Sequence, residues 1–239
     1  MVDDGMHVEI WSDIACPWCY IGKRRFEGAL DRFEHADHVT VTWRSFELDP
    51  HAPARRPVGV VEHLATKYGQ TEAAAQGMVD HMERMAAGEG LDMRLGQTQG
   101  GNTFGAHRLL HLAAERGRQH EMKDALLQAY FTEGRPIADR ETLAGAAEAA
   151  GLDRAEAEAV LDSDAYARAV RDDEEQAHEL GISAVPFFVI DRTFGVPGAQ
   201  LPDVLLGALR RAWDRTHPLE VVTGPADPAG ACDGGSCAI

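Results

Sequence analysis

The stretch "WSDIACPWCYIGKRRF", residues 11–26, decides how this chain folds. Two cysteines, Cys16 and Cys19, enclose Pro17 and Trp18. Upstream, "HVEIWSDI" (7–14) opens with Val8 and Ile10 alternating with His7 and Glu9, the pattern of a strand. Downstream, Ile21, Phe26, Leu30 and Phe33 recur at helical spacing, with Lys23, Arg24, Arg25, Glu27 and Asp31 on the opposite face. A second strand follows in "VTVTWRSFEL" (39–48), with Val39, Val41, Trp43 and Ser45 on one side. A strand that runs into Cys-x-x-Cys and then straight into a helix puts Cys16 at or next to the helix N-cap. There, unpaired backbone N–H groups and the positive end of the helix dipole stabilise a thiolate. Pro17 in the first turn forfeits no hydrogen bond. Cys19, one turn further on and more buried, is close enough to close a disulfide. Such a pair can attack a disulfide through Cys16 and resolve the mixed disulfide through Cys19. The same spacing also serves half a zinc site, or two buried thiols; the strand–helix–strand setting favours redox chemistry.

Composition narrows the field. The 239 residues suffice for one large domain, or for one domain with another inserted in it. Hydrophobic residues at 44% and charged residues at 26% are those of a soluble globular chain. No apolar run is long enough to span a bilayer, so no membrane partner is expected. The opening "MVDDGMHVEI" has neither a basic n-region nor an apolar h-region, so the expected compartment is the cytoplasm. There structural disulfides are rare. A net charge of −16 repels polyphosphates, which argues against a nucleic-acid partner. The four cysteines form two close pairs, Cys16/Cys19 and Cys232/Cys237, a clustering that suits redox or metal chemistry better than crosslinking.

The middle of the chain reads as helix throughout. "VGVVEHLATKY" (58–68) stops at Gly69, Thr71 caps the next run, and "GEGLDMRLGQTQGG" (88–101) is a polar, glycine-rich loop. Further helices begin at Asn102 or Thr103, before "HEMKDALLQAYFTE", and at Asp139, ending at Gly117, Gly134 and Gly151, with shorter ones to about Leu180. Strand chemistry returns in "GISAVPFFVIDRTFGVPGA" (181–199): an apolar strand, a "DRT" turn and a short returning strand. A last amphipathic helix buries Leu205, Leu206, Leu209 and Trp213. The expected organisation is an N-terminal β-α-β part (1–56), an inserted helical domain (57–180), a C-terminal part (181–216) and a flexible Pro/Gly-rich tail (217–239).

Three separated motifs, "DIACPWCYIGKRRF", "NTFGAHRLLHLA" and "ELGISAVPFFVIDRTFGVPGAQ", in this order resemble the DsbA-like thioredoxin-fold proteins, and among them the FrnE-like thiol–disulfide oxidoreductases. The resemblance spans roughly 6–213. It implies an α/β thioredoxin fold with a large inserted all-helical domain, Cys16 as nucleophile and Cys19 as resolving thiol, with no cofactor. It also implies a cis-proline at Pro186 that denies an N–H to the active site and holds Val185 for pairing with an extended substrate. By itself "VPFF" favours a trans-proline opening an edge strand, but its place after a helix and Gly181, opening an apolar strand downstream of the Cys-x-x-Cys, turns the balance to the cis form. The periplasmic DsbA enzymes carry Pro-His between their cysteines. Trp18 replaces that histidine here and removes one cation, so a less oxidising centre, suited to isomerase or reductase work, is expected.

In the FrnE-like subgroup a second C-terminal pair can occur, which suggests that Cys232/Cys237 in "CDGGSC" exchanges with Cys16/Cys19. The competing readings are four thiolates around zinc and a tail whose thiols oxidise incidentally. The resemblance also puts Asn102, His107 and Arg108 at the rim of a substrate groove. His107 and His111 stand four apart on one helix, a spacing able to chelate a metal, but Leu109, Leu110 and Leu112 surround them and no metal is expected. The expected partners are a disulfide-bearing protein or small-molecule thiol, and a reductant such as glutathione or thioredoxin. Two rival functions stand beside this one. A glutathione-dependent isomerase or transferase of the 2-hydroxychromene-2-carboxylate isomerase or kappa type would carry serine where Cys16 stands. A holdase would use the apolar groove without redox chemistry.

Overall fold

The computed structural model describes residues 5–217. Four strands form one mixed sheet in the order β2-β1-β3-β4: β1 Met6–Ser12, β2 Val39–Ser45, β3 Phe187–Ile190 and β4 Phe194–Pro197. β1 runs parallel to β2 and antiparallel to β3, which pairs antiparallel with β4. The parallel β1–β2 pair needs a crossover, and helix α1 (Pro17–Leu30) supplies it. Between β2 and β3 the described residues hold helices only: α2 Val60–Tyr68, α3 Glu72–Gly88, α4 Phe104–Glu115, α5 Gln119–Phe131, α6 Arg140–Ala149, α7 Arg154–Leu161 and α8 Ala167–Glu179. Helix α9 (Pro202–Thr216) closes the fold.

Helix ends follow from their residues. Thr71 accepts from the Ala74 amide and Asp139 from the Thr142 amide, each satisfying an orphan donor of a first turn. Gly69 takes the left-handed conformation that ends α2, as a side chain there would not readily do. The strand in 39–48 stops at Ser45, because Glu47 and Leu48 turn away to meet other partners: Glu47 pairs with Arg171, and the Leu48 amide donates to Asp13.

The core has three parts. One face of the sheet (Val8, Ile10, Phe188, Ile190) packs on Phe26 and Ala29 of α1 and Leu205, Leu206 and Leu209 of α9. Behind the opposite face lies a small cluster of Trp11, Ala177, Ile182 and Val189. The largest cluster belongs to the helices, and Ile14 and Ile21 from the cysteine segment are part of it. That shared membership ties the cysteine turn to the helical block.

The simple alternation read in β1 does not hold. Glu9 is buried although it falls on the polar phase, because β1 is a central strand covered on both sides. Arg44 and Arg192 both pair with its carboxylate. Asp173 of α8 is buried likewise. It accepts from Arg44 Nη1 at 2.9 Å and the Ser45 amide at 2.8 Å, and lies 3.2 Å from His111 Nε2. Burial works to raise the pKa of Asp173, but hydrogen bonds from His111 and Ser45 and the nearby charges outweigh it and hold the carboxyl below its ordinary value. A carboxyl depressed in the folded state contributes stability above its unfolded pKa of about 3.9 and loses it as the pH falls through the folded value. Asp173→Ala, which leaves Arg44 half-buried and the Ser45 amide unpaired, is expected to cost about 3 kcal/mol in urea unfolding at neutral pH, a deficit that shrinks as the pH drops below about 4.

Candidate active site

Cys16 is the N-cap of α1, in extended conformation, with Pro17 at the first helical position. Both cysteines are free thiols, and they lie 3.3 Å apart. Cys19 is fully enclosed, whereas Cys16 lines a cavity of about 430 Å³. Pro17, Trp18, Val185 and Asp13 also line it, facing Leu64 and Tyr68 of α2 and Met78 and Met82 of α3. Trp18 is 38% exposed at its rim. The Val185–Pro186 peptide bond is cis, and the Cys16 Sγ lies 3.6 Å from the Val185 carbonyl oxygen. The Pro186 carbonyl is used internally, accepting from the Gly198 amide.

Gly22 makes this approach possible. A Cβ there would stand 2.8 Å from Pro186 Cγ and 3.4 Å from Ala199 Cβ, so only hydrogen fits between α1 and the proline loop. The sequence carried the signal, a glycine inside a helical run three residues after a cysteine, but gave no reason for it.

The electrostatics differ from the simple N-cap expectation. The hydrogen bond Cys16 gives Cys19, burial and the charge of the neighbouring sulfur drive Cys16 well above the ordinary thiol range. Burial opposes ionising Cys19 too. The Cys16 hydrogen bond, the Lys123 ammonium, the Ser12 hydroxyl and the Asp13 amide overcome it and bring Cys19 below that range. The two sulfurs therefore titrate as a unit, losing one proton early and the second late. Of the two, Cys16 alone reaches the cavity, so a molecule bound there meets Cys16 first.

Asp13 was not singled out by the sequence. It is fully buried beside the pair and accepts from the Ile14 amide at 2.7 Å and the Leu48 amide at 2.8 Å, with His107 Nε2 at 3.2 Å. Burial raises its pKa, but the His107 hydrogen bond and charge and the Leu48 amide prevail and keep it low. Lys123, also unforeseen, is fully buried, and burial pushes it down to about 8.

The expected groove residues need correction, since none of the three lines the cavity. His107 is wholly buried and touches it only through Asp13. Arg108 turns away and donates to the carbonyls of Val160, Ser163 and Ala165, fixing the end of α7. The Asn102 side chain accepts from the Phe104 amide at the start of α4. His111 serves Asp173 and Ser45 rather than a metal pair with His107. Glu27, His120 and Asp124 converge as metal ligands would, but the Lys23 ammonium pairs with both carboxylates and already balances their charge. Cys232 and Cys237 lie outside the described residues.

A dithiol at the start of the first helix, under a cis-proline loop, defines a thioredoxin-fold redox centre in form. The chain belongs to the DSBA-like thioredoxin domain family, whose model matches residues 7–210. It is similar to the probable DsbA oxidoreductase SCO1869 of Streptomyces coelicolor, with 47% identity over 98% of this chain and 99% of that one and a TM-score of 0.85. Two more distant structures share the fold. One is 2-hydroxychromene-2-carboxylate isomerase, with 16% identity over 90% of this chain and all of that one and a TM-score of 0.65. The other is the cytosolic disulfide reductase DsbM of Pseudomonas aeruginosa with glutathione, with 18% identity over 86% and 98% of the two chains and a TM-score of 0.60.

Gly22→Ala tests the close approach. Alanine is worth about 1 kcal/mol over glycine in an open helix. Here the overpacking is expected to reverse that into a loss of about 1–3 kcal/mol, read by thermal unfolding, with slower reaction of Cys16 towards a model disulfide.

Proposed function

We propose that this protein catalyses thiol–disulfide exchange through Cys16 and Cys19, working in the cytoplasm as a reductase or isomerase of the FrnE-like kind. The observation that carries the reading is the pair of free thiols 3.3 Å apart, of which only Cys16 opens onto the cavity beside the cis-proline loop. The Cys16 thiolate attacks a substrate disulfide R–S–S–R′ and expels R′–S⁻. The Cys19 thiolate then attacks Cys16 Sγ in the mixed disulfide, expels R–S⁻ and leaves Cys16–Cys19 oxidised, so that two electrons pass from the dithiol to the substrate. Two external thiols restore it by the reverse exchange.

The cavity suits either a protein segment or a small disulfide. Its wall is largely apolar, and Arg56 and Lys67 also line it, so an acidic thiol such as glutathione would meet cations near Cys16. Glutathione, as bound in DsbM, is thus a reasonable reductant, with thioredoxin the other. Cys232/Cys237 could relay electrons to the pair.

The isomerase/transferase alternative rests on the shared fold and the same cavity. A cysteine with a resolving neighbour favours redox exchange over activation of glutathione by a hydroxyl. A holdase would need the apolar wall alone.

Thiol trapping with peptide mass spectrometry across a graded glutathione series tests the reading. Cys16 and Cys19 are expected to oxidise and reduce together and reversibly, and Cys16→Ser is expected to abolish reduction of a model disulfide. Thiols that stay protected until a chelator is added would instead mark a zinc site. A Cys16→Ser protein that isomerises a small substrate with glutathione would mark the alternative enzyme.

A further inference from the structure

The Lys123 side chain is fully buried in α5, and its Nζ has no hydrogen-bond partner. A buried ammonium without an acceptor is costly unless some charge compensates it. The nearest aromatic face, Trp43 of β2, lies 5.4 Å from Nζ. The second lysine near that ring, Lys23, differs in kind, because Glu27 and Asp124 hold it.

Lys23 stands one helical turn after Cys19 on α1, and its Nζ lies 6.0 Å from the same Trp43 ring, so Lys123 sits against α1 close to the enclosed cysteine. The charged groups that act on Lys123 are Cys19, Asp13, Cys16 and Lys23. Asp13 is already engaged by two backbone amides and His107. Lys23 only repels. Cys19 is the group with charge to offer, for it is fully enclosed and its ionised form gains from the Lys123 ammonium.

We propose that Lys123, supplied by the helical segment between β2 and β3, is a positioning residue for the redox pair, a buried cation that stabilises the Cys19 thiolate and thereby favours the reduced dithiol over the disulfide. This inference rests on the redox reading above. When Cys19 resolves a mixed disulfide its thiol proton passes to the R′–S⁻ expelled in the first exchange, and Lys123 neutralises the Cys19 thiolate until it attacks Cys16. Once the disulfide has formed, the thiolate is gone and Lys123 is left without its counter-charge. Both effects act in one direction: the lysine makes the Cys16–Cys19 disulfide easier to reduce. Removing its charge makes that disulfide more persistent.

The test compares the full-length protein with Lys123→Met and Lys123→Gln in the glutathione series at neutral pH, with thiolate ultraviolet absorbance followed against pH and referenced to a Cys16→Ala/Cys19→Ala protein. Both variants are expected to need about tenfold more reducing conditions to half-reduce Cys16–Cys19, with the first ionisation of the pair about one unit higher. Midpoints within twofold of the unaltered protein, or a shift in Met but not Gln, would overturn the proposal. If neither variant folds, the unaltered protein decides. A first ionisation below the ordinary thiol value supports a cation at the pair, and one at or above it overturns the proposal. A failure of the unaltered protein to cycle Cys16 and Cys19 at all sinks the redox reading itself, whereas normal cycling with unmoved variants sinks only the role of Lys123.

Discussion

The contact of Gly22 with the Pro186 ring is the constraint on which the site depends. It joins the first helix to a loop from the far end of the chain: Cys16 and Val185 are 169 residues apart in sequence yet in contact. Closing so long a loop is entropically unfavourable until the intervening chain has its own structure. The helical block between β2 and β3 supplies it, burying a core of its own around Leu109, Leu126 and Phe131. Ile14 and Ile21, on either side of the cysteines, lie in that same core, so the block that brings the chain back to β3 also holds the dithiol turn in place.

Behind the cysteines the protein has gathered polar groups where apolar ones would pack more cheaply. Ser12, Asp13, His107 and Lys123 are all buried there. Asp13 is the anchor. Its oxygens take up the Ile14 and Leu48 amides, the first within the cysteine turn and the second after β2. A carboxylate thus pins together two segments that leave adjacent parallel strands. It also explains why Asp13 lies near the sulfurs without neutralising them: a negative group beside a thiolate opposes ionisation, and the cation opposite it must come from elsewhere.

Much of this was legible in the sequence. Local pattern fixes β1, the dithiol turn, α1 and the helix caps, because each depends on neighbours a few residues away: Thr71 and Asp139 cap as their residue types require. The cysteine pair and Pro186 stood out because their chemistry is rare. What pattern could not show was pairing across the chain. The resemblance put Arg108 at the rim of a groove, yet its guanidinium is consumed by backbone carbonyls of α7 and the turn after it. Glu9 looked exposed because alternation assumes one wet face, and a central strand has none. Lys123 left a faint trace. With Leu127 and Tyr130 it falls at helical spacing on the buried stripe of α5, and a lysine on an apolar stripe is a local contradiction of the kind expected at functional or strained positions.

In the proposed exchange the two sulfurs divide the work. Of the two, Cys16 alone reaches the cavity wall, while Cys19 is fully enclosed beside a buried cation. Across 3.3 Å the pair gives up its first proton as a unit rather than from either sulfur, so the charge formed behind the wall would be drawn on at the open sulfur. The Cys16 thiol donates towards the Val185 carbonyl at 3.6 Å. If an extended substrate pairs with this loop, as the proposed function requires, that carbonyl turns to the substrate's N–H groups and the cost of charging Cys16 falls. Substrate binding and nucleophile activation would then be linked through the same loop that Gly22 allows to come close.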